Sequence, residues 1–162
     1  MLAGTPGYLA PEVGFSGKAT PESDVYSFGM VVLEVVCGRR SRGVLEENSL
    51  VDHVWNLYAR NALLECVDKQ LGVLEGDRGS SFDDEDQEQV KRTLIVGLAC
   101  LHPDCTFRPK IRKAVQVFLN PNEPLMDLPE SRPSAVYVLV SSSSGSITTT
   151  TNSSLQPLPV SL

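Results

Sequence analysis

Cys100, His102 and Cys105 fall within six positions, and two thiols with an imidazole are what a soft metal ion binds. Their spacing matches no zinc pattern, and His102 directly precedes Pro103 at a helix end, so they are read as structural, with no metal site. The acidic run Asp83 to Glu88 offers the oxygen ligands that calcium takes, but it lacks the spacing and the glycine of a calcium loop. A solvated helix start accounts for it. His53 falls on the polar side of its helix and is read as solvated. The remaining candidate is the stretch Gly4-Thr5-Pro6-Gly7-Tyr8-Leu9-Ala10-Pro11-Glu12, a glycine-loosened turn that hands over to a helix. Asp24 follows in the first turn of the next helix, where the dipole favours a carboxylate.

Four helices must position these residues. The first has Thr20 as N-cap and Pro21 at its first position, runs through Cys37 and stops at Gly38, with Arg39 and Arg40 beside its negative end. From Val25 onward it is apolar on nearly every side, which predicts burial all round. The second starts at Ser49, with Asp52 as a capping-box-like partner, and buries Val51, Val54, Trp55 and Tyr58. A third follows the acidic run and buries Val90, Leu94, Leu98 and Leu101. The last begins near Pro109 and carries Ile111, Ala114, Val115 and Phe118 at helical spacing. Strand signals are nearly absent, so the fold class is mostly α.

Composition bounds what such a chain can do. With 162 residues, 41% of them hydrophobic, it is long enough to bury a core of its own. A net charge of -6 argues against nucleic-acid partners and against binding to an anionic membrane. The longest apolar run, Gly29 to Cys37, is too short to span a bilayer and is interrupted by Glu34. No charged and apolar leader follows Met1. Cys37, Cys66, Cys100 and Cys105 are irregularly spaced, which favours reduced thiols over a disulfide framework. Three segments are expected: a compact region over 1–119, a proline-punctuated connector over 120–140, and a Ser/Thr-rich tail over 141–162 whose composition predicts disorder.

Three separated stretches, taken in order, carry a resemblance. "GTPGYLAPE", "KATPESDVYSFGMVVLEVVCGRR" and "GLACLHPDCTFRPKIRKAVQVFL" together resemble the second half of a eukaryotic protein kinase domain. The wording of the second stretch and of "LNPNEPLMDLPESRPSA" is similar to plant L-type lectin-domain receptor-like serine/threonine kinases. The fold implied is a truncated kinase C-lobe, from the end of the activation segment onward. The resemblance makes Glu12 the last residue of the family's Ala-Pro-Glu and pairs it with Arg108. It places Thr5 against the catalytic loop, and Gly4, Pro6, Gly7 and Tyr8 under the substrate residue just past the phosphoacceptor. Asp24 matches the helix carboxylate that accepts hydrogen bonds from amides of the catalytic loop.

The family's phosphoryl-transfer residues are expected upstream. A glycine-rich loop, a strand lysine with its helix glutamate, His-Arg-Asp and Asp-Phe-Gly all precede Ala-Pro-Glu in the family's order. Only nine residues stand before Ala10, and none of the sequence motifs occurs later. The expectation is therefore no catalytic residue and no cofactor in this chain, with ATP and Mg²⁺ belonging to the parent family. Three readings stay open: a fragment of a receptor kinase on the cytosolic side of the plasma membrane, a stand-alone cytosolic binding module or decoy, or a gene remnant. The partners implied are a protein substrate or the missing kinase half, with no membrane contact by the chain itself.

Overall fold

The computed structural model of the chain describes residues 5, 7–41, 49–71 and 83–134. The expected tail over 141–162, and the connector beyond Ser134, lie outside the described residues. Within them the chain forms α1 (Pro11–Ser16), α2 (Pro21–Cys37), α3 (Leu50–Ala59), a 3-10 turn (Leu63–Cys66), α4 (Asp84–Cys100), a second 3-10 turn (Cys105–Phe107) and α5 (Ile111–Leu119). No strand occurs among the described residues.

Local chemistry sets the helix ends. Thr20 Oγ1 accepts from Ser23 N at 3.2 Å while Ser23 Oγ accepts from Thr20 N at 2.9 Å, a reciprocal cap that satisfies two otherwise unpaired donors. Gly38 ends α2 at φ 61°, a left-handed conformation that costs a side chain dearly. At α3, Ser49 Oγ accepts from Asp52 N at 3.2 Å and donates to Asp52 Oδ2 at 2.6 Å. The Asp52 carboxylate thus bonds the capping hydroxyl, and also Arg132, where a capping box would have it reach the Ser49 amide.

The centre of the structure is the α2–α4 pair. A Cβ on Gly29 would lie 2.6 Å from Cys100 Cβ, and one on Gly97 would lie 2.8 Å from Leu33 Cδ2, so the two helices meet where neither has a side chain. Around this contact Tyr26, Met30, Leu33, Leu94 and Leu98 are fully buried, joined by Val51, Val54 and Trp55 of α3. On the other side Val25, Val96 and Cys100 enclose Ala114 and Val117 of α5. The connector packs back over both groups, Leu125 and Met126 on the second and Leu128 on the first. Arg92, buried in α4, binds it there, its Nη2 donating to the carbonyls of Asn120 at 3.2 Å and Glu123 at 2.7 Å.

Four packing expectations change, one of them at Val90 of α4, which packs against the core only half-buried. Helix α2 is not buried all round: Val31 is 45% and Val35 60% exposed, because α4 and α3 cover its other sides and no described element lies over this one. In α5 the buried residues are Ala114 and Val117, while Ile111 and Val115 face solvent and Phe118 is half-buried. Apolar residues occur on two faces of that helix, and the small Ala114 selects the one that fits against Val25, Val96 and Cys100. Tyr58 of α3 is also only half-buried, since its hydroxyl reaches out to the Leu128 carbonyl at 3.4 Å.

Candidate functional site

The loop before α1 is held from three directions. Tyr8 N donates to Thr5 O at 3.2 Å, closing the turn, and Gly7 takes φ 95° within it. Ser27 Oγ, one turn into α2 from Ser23, donates to Tyr8 O at 2.7 Å. The Tyr8 hydroxyl donates to Glu34 Oε2 at 2.5 Å, and Ser41 N donates to Glu34 Oε1 at 2.5 Å. Glu34 therefore ties both the loop and the segment after α2 to the same helix. Its carboxylate, as acceptor, and partial burial together push the Tyr8 phenol above its ordinary pKa. Gly4 and Pro6 lie outside the described residues.

Beneath this loop, α1 and the second 3-10 turn are joined by one ion pair. Arg108 Nη1 and Nη2 donate to Glu12 Oε1 and Oε2 at 2.6 and 2.7 Å, a bidentate fork across 96 positions of sequence. Its other three N–H groups donate to the carbonyls of Glu22 at 2.9 Å, His102 at 2.7 Å and Pro103 at 3.1 Å. All five guanidinium donors are thus satisfied, and the cation sits 4.9 Å over the Tyr26 ring. The Arg108 side chain is wholly buried and that of Glu12 is 22% exposed. Burial alone would raise the Glu12 pKa, but Arg108 and the Glu12 amide outweigh it and hold the carboxyl below its ordinary 4.5.

Between loop and helix lies a recess of about 190 Å³, lined among others by Thr5, Tyr8, Ala10, Ser23, Asp24 and Ser27. Leu9, Val13 and Ala19 complete a lining that is more apolar than polar, with hydroxyls and one carboxylate at its edge. Asp24 is exposed in the first turn of α2. The structure brings Thr5, Tyr8 and Asp24 to one recess, while Glu12 and Arg108 form a separate ion pair that does not line it. Glu34 and Ser27 were missed by sequence reasoning. The signal for Glu34 was visible as the one charge interrupting the apolar run of α2.

The remaining candidates behave structurally. His102 Nδ1 pairs with Asp104 N at 3.1 Å, and its ring packs on Phe107 at 5.0 Å. Burial pushes the Cys100 thiol up to about 12, and His53 is half-buried on α3. Among the described residues no three His, Cys, Asp or Glu side chains could hold a metal ion.

Residues 4–76 match the family model for protein tyrosine and serine/threonine kinase. The chain carries part of a protein kinase domain. It is 42% identical to L-type lectin-domain containing receptor kinase IX.2 of Arabidopsis thaliana, and 42% to kinase IX.1 of the same plant. Each match covers 90% of this chain and 22% of the relative, so the chain spans about a fifth of the receptor kinases it matches. The solved pseudokinase domain of BIR2, an immune regulator of the RLK/Pelle family, superposes with TM-score 0.55 at 28% identity, over 70% of this chain and 32% of that one. The helical architecture is accordingly that of a kinase C-lobe, in a fragment of receptor-like kinase type. Among the described residues no helix is long and apolar enough to cross a membrane.

Proposed function

We propose that these residues form the substrate-facing half of a receptor-like serine/threonine kinase, whose other half supplies ATP, Mg²⁺ and the catalytic loop. The observation that carries this reading is the loop residue Tyr8, tied to α2 through Glu34 and Ser27 beside the recess that Thr5 and Asp24 also line, with the Glu12–Arg108 fork anchoring the helix that follows. The recess takes the catalytic loop of the missing half, Thr5 contacts it, and Asp24 accepts its amides. Gly4, Pro6, Gly7 and Tyr8 lie under the substrate residue that follows the phosphoacceptor. Glu12 and Arg108 hold that platform in place. The roles are docking and support, so no step of phosphoryl transfer is assigned to this chain's own side chains. The parent would present this domain on the cytosolic side of a membrane, as receptor kinases do.

Immunoprecipitation from source tissue tests the reading, using an antibody raised against the residues beyond Ser134. The expected result is a membrane-associated protein several times larger than 17.6 kDa that transfers the γ-phosphate of ATP to serine and threonine in a peptide mixture. A soluble product at 17.6 kDa without that activity would sink the proposal and favour the stand-alone binding module.

A further inference from the structure

We propose that Cys37 and Cys66 form a reversible intramolecular disulfide, a redox modification site that staples the last turn of α2 to the 3-10 turn after α3. The two cysteines are 29 positions apart in sequence, and the fold brings them together in one buried cluster, 5% and 7% exposed. A backbone bond fixes their approach: Asp68 N donates to Val36 O at 2.9 Å, one residue before Cys37 and two after Cys66. The contact is close enough that a Cβ on Gly38 would sit 2.1 Å from Asp68 Oδ2. Each thiol shifts the titration of the other, and Cys66 Sγ donates to Leu63 O at 3.0 Å. Arg39, the residue after Gly38, places a cation near both sulfurs.

Cys37 holds the Cys66 thiol below its ordinary pKa against the effect of burial, and Cys37 is raised in turn by Cys66 and by its own burial. The steps follow with Cys66 as the attacking sulfur, and the disulfide formed is the same whichever of the two leads. With hydrogen peroxide as oxidant, the Cys66 thiolate bonds one oxygen, the O–O bond breaks, and hydroxide leaves to take up the proton Cys66 released. Cys37 sulfur then attacks the Cys66 sulfenic sulfur, the S–O bond breaks, and the departing hydroxide accepts the Cys37 proton. Two thiols lose two electrons in total and one peroxide becomes two waters. Cys100, whose thiol burial pushes up to about 12, and the half-buried Cys105 show no such pairing.

The test oxidises the full chain with hydrogen peroxide, blocks remaining thiols under denaturing conditions, and maps tryptic peptides by mass spectrometry. A guanidinium-denatured sample oxidised in parallel is the reference. The expected product joins residues 19–39 to residues 61–69, is released by dithiothreitol, and forms roughly tenfold faster in the native chain than in the reference. Equal rates in the two samples overturn the proposal. So does a native product in which Cys37 and Cys66 are both recovered with the block while Cys105 alone is oxidised or cross-linked between chains. Cys105→Ser, at a half-exposed position, leaves the 19–39 to 61–69 product unchanged if the pair is real.

Discussion

Arg108 makes five hydrogen bonds inside the protein, and replacing it strands Glu12 and three carbonyls at once. Removing one partner of a buried pair costs about 3 to 5 kcal/mol, so Arg108→Ala is expected to lower the unfolding free energy obtained by urea titration by that much. A loss under about 1 kcal/mol would mean that the fork closes only weakly in solution. The same pair predicts an acid limb. Because the folded Glu12 carboxyl titrates below its ordinary 4.5, its contribution is fully present above that pH and is lost as pH falls through the depressed folded value. Asp52, where Ser49 and Arg132 outweigh burial, shifts in the same direction. Thermal melting of Glu12→Gln should therefore fall less steeply between neutral pH and pH 3 than that of the parent chain; identical slopes would assign the acid limb to other carboxylates.

At the scale of elements, the α2–α4 contact depends on two glycines that are not equivalent. A Cβ at Gly29 meets Cys100 Cβ at 2.6 Å and the Gly97 carbonyl at 2.9 Å, atoms that move only if a helix moves. At Gly97 the nearest atoms are Leu33 Cδ2 at 2.8 Å and Val32 Cγ1 at 3.1 Å, tips of side chains. Overpacking of a rigid contact costs about 1 to 3 kcal/mol, whereas alanine in place of helical glycine returns about 1 kcal/mol of propensity. Gly29→Ala is expected to destabilise by at least 1 kcal/mol more than Gly97→Ala in urea unfolding. The reverse order would show that Leu33 and Val32 of α2, rather than the α4 atoms facing Gly29, are the immovable partner.

For the molecule as a whole, the exposed side of α2 is the feature that packing among the described elements leaves open. Val31 and Val35, a turn apart, form a face that Phe28 and Val32 extend only partly buried. Val25 and Val36 of the same helix are enclosed, Val25 by α5 and Val36 by the first core cluster. The chain expressed alone is expected to bind a hydrophobic-surface dye and self-associate. Val31→Ser with Val35→Ser should reduce both without lowering the melting temperature. Dye binding that the double substitution leaves intact would place the sticky surface elsewhere, on the Phe107, Ile111 and Leu119 side.

The sequence by itself determined the four longer helices and the ends that their caps mark. Thr20-Pro21, Gly38, Ser49 and the acidic start of α4 act through neighbours within four residues, so their consequences follow from order alone. The kinase resemblance was legible for a different reason: three motifs in a fixed order restrict the chain more than any single one does. What only the tertiary structure decided were contacts between residues far apart in sequence. Glu34 as the anchor of Tyr8, Arg92 as the clasp of the connector, and Cys37 beside Cys66 are separated by 26 or more positions, and no local propensity ranks one such partner above another. Nor could the spacing of apolar residues say which face of α2 or α5 lies inside. A helix that is apolar on several sides is oriented by the volume available against its neighbours, and that volume exists only once α2 and α4 have met at their glycines.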